Sequence, residues 1–179
     1  MDDRQHQYVA EVMRFRKALN LTSISDPQLF IKQFILPSLA LGQWLPDSGR
    51  LLDIGSGMGI PGIPLLISKP ALQGVLVERR KKRAEFLRHV VRKMSLNAVI
   101  FDDDINDLDH LGIDACVARA VTEQEELLTM CGRHANIGAI AVLPVPSNSK
   151  PVSIKEWRLE NERRLNEFGD QLVRCYRFC

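Results

Sequence analysis

The stretch Leu51-Leu52-Asp53-Ile54-Gly55-Ser56-Gly57-Met58-Gly59-Ile60-Pro61-Gly62-Ile63-Pro64 constrains the fold more than any other part of the chain. It begins as a short apolar run of the kind that forms a buried parallel strand, turns through glycines, and continues as a helix. Gly55, Gly57 and Gly59 allow backbone angles that a Cβ forbids and let a ligand lie directly against the main chain. A strand, a glycine turn and a helix N-terminus in that order point to a nucleotide-type ligand at the turn.

The rest of the sequence repeats this unit. Apolar runs fall at 51–54, 74–77, 98–101 and 115–118, with a longer one at 137–143. Helical segments begin near Ile60, Arg79 and Thr122. Strands alternating with helices through short links predict right-handed βαβ units and a parallel sheet covered on both faces. In the segment 79–95, Ala84, Leu87, Val91 and Met94 form the buried stripe, with Phe86 and Val90 beside it. Arg80, Lys81, Lys82, Arg83, Arg88, Arg92 and Lys93 make the remainder basic.

Both ends read differently. Residues 3–19 predict a helix buried along Tyr8, Val12, Phe15 and Leu19, with Glu11 off the stripe. Ser25 or Asp26 can cap a second helix that has Pro27 at its start, and Pro37 must kink or split it. Pro46 to Gly49 close this region as a turn. Near the other end, Pro144, Pro146 and Pro151 with Ser147, Asn148 and Ser149 read as a loop. Residues 155–168 fit helix or strand, Gly169-Asp170 reads as a turn, and Leu172, Cys175, Tyr176 and Phe178 lie in a terminal strand of an antiparallel hairpin. The expectation is one α/β domain over 1–179, with a helical extension at 1–48 and the core at 49–179.

Composition narrows the classes. With 45% hydrophobic and 26% charged residues the chain is globular, and a net charge of +2 predicts no nucleic-acid partner unless a basic footprint is local. Cys116, Cys131, Cys175 and Cys179 form no CxxC pair and are expected as reduced packing or surface thiols. His6, His89, His110 and His134 show no ligand spacing, so no metal is expected. Asp2 and Asp3 precede any apolar run, which does not read as a signal peptide, and no apolar stretch approaches the ~20 residues of a membrane span. A cytoplasmic, membrane-free protein is the expectation, with a monomer as its expected form.

Which ligand the turn holds follows from its charges. A dinucleotide fingerprint needs a third glycine where Ile60 stands. Asp53, at the strand end, would repel a pyrophosphate and suit a cation. S-adenosylmethionine carries a sulfonium and an ammonium group. Glu78 ends the second strand at the separation where an acid accepts from ribose hydroxyls. The third strand runs into Asp102-Asp103-Asp104-Ile105-Asn106, where an acid or amide can face an adenine amino group. All three strand ends lie on the ligand-binding carboxyl edge of such a sheet.

The block from Asp53 to Pro64 closely resembles the cofactor loop of the bacterial small-subunit ribosomal RNA guanine-N7 methyltransferases, the glucose-inhibited division protein B type. Asn20-Leu21-Thr22-Ser23-Ile24, the helix start Lys81-Lys82-Arg83-Ala84-Glu85-Phe86-Leu87-Arg88, and Val117-Ala118-Arg119-Ala120 are similar to further segments of that family, so the resemblance runs from about 8 to 143 and weakly to the end. It implies a class I, Rossmann-like methyltransferase fold with a mostly parallel seven-stranded sheet flanked by helices. It also implies S-adenosylmethionine as cofactor and small-subunit ribosomal RNA, or its ribonucleoprotein, as partner. Carried over by position, cofactor contacts fall at Gly55, Ile60, Glu78, Ile105, Asn106 and Arg119, and Asp53, Ser56, Gly57, Gly59 and Asp104 complete the candidate set. Asn20, Thr22 and Arg119 are the substrate candidates. No catalytic residue is assigned, because guanine N7 presents an unprotonated lone pair and requires no general base.

The chain departs from the family pattern at Gln33, Phe34, Pro37, Asp104, Val121 and Pro144, mostly on the substrate side. Two other readings therefore stand beside the first: a methyltransferase of the same fold with a changed substrate, and a catalytically silent relative that binds cofactor or RNA.

Overall fold

The computed structural model describes residues 2–119, 122–165 and 171–179. The segment Ala120-Val121 and the turn expected at Gly169-Asp170 lie outside the described residues. Seven strands are described: β1 (Gly49–Ile54), β2 (Leu72–Val77), β3 (Ala98–Phe101), β4 (Ile113–Ala118), β5 (Ala135–Pro146), β6 (Trp157–Leu165) and β7 (Gln171–Phe178). They form one sheet in the order β3-β2-β1-β4-β5-β7-β6. The first five are parallel, and β7 runs antiparallel to both β5 and β6. The strand order reverses between β1 and β4, and ligands of open α/β sheets bind beyond the carboxyl ends at such a point.

Side-chain alternation divides the core into two layers. Leu51, Leu72, Leu76, Ala115 and Val117 face helices α1 (Asp3–Phe15), α4 (Gly62–Ser68) and α5 (Lys81–Lys93). Leu52, Ile54, Val75, Val77 and Cys116 face α6 (Gln124–Gly132) on the other side. By the same alternation Asp53 belongs to the α4 layer.

The N-terminal helix is fastened to the glycine turn. Asp2 caps α1, the Tyr8 hydroxyl donates to Met58 O at 2.7 Å, and Gln5 Nε2 donates to Pro64 O at 2.9 Å. Burial drives the Tyr8 hydroxyl pKa well above its ordinary value, with Asp53 adding to the effect. Glu11, expected off the buried stripe, is covered between α1 and α5, where His89 and Lys93 each approach its carboxylate at 2.6 Å. Burial alone would raise the Glu11 pKa, but those two hydrogen bonds bring it below normal. The helix stops at Phe15, short of the expected Leu19, and Asn20 takes a φ of 49°.

The second helix is divided just ahead of Pro37. Asp26 caps α2 (Pro27–Phe30), the chain widens into a π turn at Ile31–Ile35, and α3 (Leu36–Leu41) follows with Pro37 in its first turn. The π turn absorbs the donor that proline lacks.

Two expectations are corrected, at the prolines and at the cysteines, and one open choice is decided. Pro144 and Pro146 are not loop residues; they end β5. Prolines two apart lack donors on the same edge, and beyond Val142 the edge toward β4 has no ladder to lose. Residues 157–165 take the strand alternative and pair antiparallel with β7 as the expected closing hairpin. Cys116 and Cys131 are not separate thiols: they pair as a disulfide, while Cys175 is buried and Cys179 exposed. Packing α6 on β4 brings the two sulfurs together from 15 residues apart, a spacing that matches no cysteine motif. No described helix is long and apolar enough to cross a membrane.

Candidate functional site

The glycine turn leaves β1 at Ile54 and enters α4 at Gly62, with φ positive at Gly55, Gly57 and Gly59. It is laced to itself and to β2: Ser56 N–H donates to Val77 O at 3.0 Å and Gly59 N–H to Ser56 O at 2.7 Å. Ser56 is buried, and its hydroxyl donates to Asp53 O at 2.9 Å. At Gly59, φ is 97° and a Cβ would stand 2.5 Å from Ile63 Cγ1, so glycine is required twice over.

Asp53 lies beneath the turn. It is 1% exposed, and its Oδ2 accepts the Gly62 N–H at 3.0 Å. Oδ1 has no hydrogen-bond partner among the described residues. Burial pushes the carboxyl up to about 7, against the lowering effect of the Gly62 bond. The carboxylate thus holds the start of α4 instead of lining the cleft above.

The cleft, of about 510 Å³, opens over the carboxyl ends of β1, β2 and β3. Gly55, Glu78, Asp104, Ile105 and Asn106 all line it. Glu78 is 7% exposed; its Oε2 accepts the Gly57 N–H at 2.9 Å and its Oε1 the Arg80 N–H at 2.8 Å. A single carboxylate therefore fixes both the glycine turn and the entry to α5. Asp104 accepts from Asn106 N–H at 3.0 Å, Asn106 Nδ2 at 2.9 Å and Arg79 Nη1 at 2.8 Å. The Asn106 amide bond and then Arg79 hold its pKa below the usual carboxylate range. Arg79, Arg80 and Arg83, which the sequence assigns to a basic helix face, also line this cleft.

A second cavity of about 520 Å³ lies over the ends of β4 and β5. Arg119 lines this cavity, not the first. Its guanidinium lies 4.4 Å from the centroid of the Phe34 ring, and Phe34 in turn packs on Phe30 at 4.9 Å. Burial lowers the Arg119 pKa. Gln33, Pro37 and Pro144 share the cavity, so four of the positions that depart from the family pattern meet around one arginine. Thr122 lines both cavities and marks where they adjoin.

The remaining candidates fall elsewhere. Ser56, Gly57, Gly59 and Ile60 shape the turn without lining either cavity. Asn20 offers its backbone carbonyl to Arg83 Nη2 at 2.6 Å, and Thr22 Oγ1 accepts from Ile24 N–H at 3.2 Å. Neither Asn20 nor Thr22 reaches the Arg119 cavity. Gln124, Ser149 and Gln171, which the sequence does not single out, do line it. No signal in the sequence marks them, because separate elements bring them together.

The family model described as rRNA small subunit methyltransferase G matches residues 2–145. The chain belongs to the rRNA small subunit methyltransferase G family. The Ribosomal RNA small subunit methyltransferase G of Stenotrophomonas maltophilia (strain K279a) is 38% identical over 136 residues, which are 75% of this chain and 64% of that protein. The enzyme of the same name from Xylella fastidiosa (strain 9a5c) is 40% identical over 127 residues, 70% of this chain and 59% of that protein. The chain thus spans less than two thirds of the length of these curated relatives. Among solved structures, the fold matches the putative methyltransferase yhhF of Escherichia coli with a TM-score of 0.65 at 18% identity, covering 79% of this chain and 84% of that one. A mutant of MtNAS in complex with S-adenosylmethionine matches with a TM-score of 0.67 at 19% identity, covering 97% of this chain and 76% of that one. The architecture is that of the class I methyltransferases.

Proposed function

We propose that this family member is an S-adenosylmethionine-dependent methyltransferase acting on N7 of a guanine in small-subunit ribosomal RNA. The observation that carries the reading is one cleft, at the switch point of the sheet, that joins the glycine turn, Glu78 and Asp104–Asn106. The names of the relatives supply the substrate class.

The residues fit the cofactor. Each Glu78 oxygen carries one backbone hydrogen bond, which leaves acceptor capacity for the two hydroxyls of a ribose. A Cβ at Gly57 would stand 3.9 Å from Arg83 Nη1 and 4.0 Å from Glu78 Oε2, at the rim formed by the residues that line the cleft. Asn106 and Asp104 stand at the next strand end, where an adenine would lie. Bound S-adenosylmethionine supplies a methyl group activated by a sulfonium.

The protein contributes position. Guanine N7 needs no proton removed, so the chain requires no general base, and orientation alone supplies several kcal/mol of rate enhancement, about 7 or more in well-aligned systems. Arg79, Arg80, Lys81, Lys82 and Arg83 flank the cleft at the start of α5 and give a local basic footprint for an RNA backbone despite the near-neutral total. With a ribosomal substrate, the protein works in the cytoplasm as an RNA-binding enzyme. Mapping guanine N7 methylation in ribosomal RNA from a strain lacking the gene tests this: one small-subunit site loses its methyl group, whereas an unchanged map rejects the reading.

A further inference from the structure

The glycine turn is also held from outside the α/β core. Tyr8 of α1 is fully buried, and its hydroxyl donates to Met58 O at 2.7 Å. A phenylalanine would fill the same space with no hydroxyl to satisfy, and burying a hydroxyl is costly unless it is bonded. The use of the tyrosine is therefore its bond. Three residues earlier on the same helix face, Gln5 is 2% exposed and donates through Nε2 to Pro64 O at 2.9 Å. The two acceptors bracket the passage from the turn into α4. Asp53 holds the same passage from the sheet side, at Gly62 N–H.

The peptide that Tyr8 anchors lies between Met58 and Gly59, and Gly59 has a φ of 97°. Glycine takes positive φ about as readily as negative, so this peptide can turn over unless both of its polar groups are held. Its N–H, from Gly59, donates to Ser56 O at 2.7 Å within the turn. Its carbonyl, from Met58, is held by Tyr8. On the cleft side, Glu78 accepts the neighbouring Gly57 N–H at 2.9 Å. Tyr8 does not line the cleft, so it acts through the turn and not on a ligand.

We propose that Tyr8 is a positioning residue for the cofactor: by holding Met58 O it keeps the glycine turn in the shape that receives S-adenosylmethionine. Helix α1 is thereby a working part of the cofactor site. The effect is one of preorganisation. A turn that spends only part of its time in the receiving shape binds more weakly in proportion to that fraction. Burial, with Asp53 nearby, keeps the Tyr8 hydroxyl a proton donor well beyond the ordinary tyrosine range. The inference rests on the cofactor and not on the ribosomal substrate.

Tyr8→Phe in the full chain removes the hydroxyl and leaves the ring. Glu11→Gln is the control, because Glu11 lies on the same helix but meets His89 and Lys93 of α5, away from the turn. Two quantities are read for each variant, well below its melting temperature. One is S-adenosylhomocysteine affinity by calorimetry; the other is amide hydrogen exchange of the glycine turn in the unliganded chain. Tyr8→Phe is expected to weaken binding by roughly three- to tenfold and to speed exchange at the turn. Glu11→Gln is expected to melt earlier yet bind S-adenosylhomocysteine as wild type does. A role for Tyr8 in stability alone would lower the melting temperature and leave affinity untouched. That result overturns the inference, as does an equal loss of affinity in Glu11→Gln. If wild type methylates no ribosomal RNA yet shows the Tyr8-dependent affinity, the positioning role stands and the ribosomal substrate falls.

Discussion

The carboxylate of Asp53 occupies the space where a side chain on Gly62 would stand. Its Oδ2 accepts the Gly62 N–H at 3.0 Å, and a Cβ on Gly62 would lie 2.5 Å from that same oxygen. The pair joins the end of β1 to the start of α4 and so sets the span of the glycine turn. Gly62→Ala must push the carboxylate off its partner, and overpacking of this kind costs about 1–3 kcal/mol. Thermal melting should show that loss, and S-adenosylhomocysteine titration a weaker complex.

The buried Asp53 also predicts a pH dependence. Its folded pKa, about 7, lies above the unfolded value near 4, so its contribution is fully favourable below that unfolded value and is lost as pH rises through about 7. Asn at this position can still accept from Gly62 N–H and does not ionise. Urea unfolding of Asp53→Asn and wild type between pH 5 and 9 should diverge, with the variant gaining relative stability toward the alkaline end. Parallel curves would remove Asp53 as the source.

Glu78 carries two bonds at once, to Gly57 N–H and Arg80 N–H. Glu78→Gln keeps the shape but loses the charge and an acceptor, and charge-assisted hydrogen bonds contribute about 1.5–3 kcal/mol. Calorimetry should find S-adenosylhomocysteine binding weakened by roughly ten- to hundredfold.

Arg174 is 1% exposed and fully engaged. It bonds Glu162, the Gln124 side chain, Ser149 Oγ, and the backbone carbonyls of Ser149 and Lys150. It thereby fixes two walls of the second cavity, Gln124 and Ser149. Arg174→Met strands those acceptors and should cost about 2–3 kcal/mol by chemical denaturation. Arg174→Lys should restore little of it, because an ammonium cannot span the same fork.

The parallel half of the sheet was legible because strands buried on both faces read as apolar runs, and the turn because its glycines have a single physical use. The direction of side chains was less so. Asp53 reads as a ligand contact, yet alternation along β1 turns it into the α4 layer. Arg174 reads as an ordinary strand arginine, since nothing local shows that a loop 25 residues away supplies its acceptors. Pro144 and Pro146 suggest a loop because the edge left free by β4 exists only in three dimensions. The departures from the family at Gln33, Phe34, Pro37 and Pro144 are visible as single changes; their convergence on Arg119 is a property of the fold.

Two cavities adjoin at Thr122, and the proposed activity requires methyl transfer from a donor held in the first of them. The decisive measurement incubates the purified chain with methyl-labelled S-adenosylmethionine and small subunits lacking the modification, then identifies the labelled base. Label recovered as 7-methylguanine from a single position of the small-subunit RNA is the predicted result. A chain that binds S-adenosylhomocysteine yet leaves every guanine N7 unlabelled would contradict it.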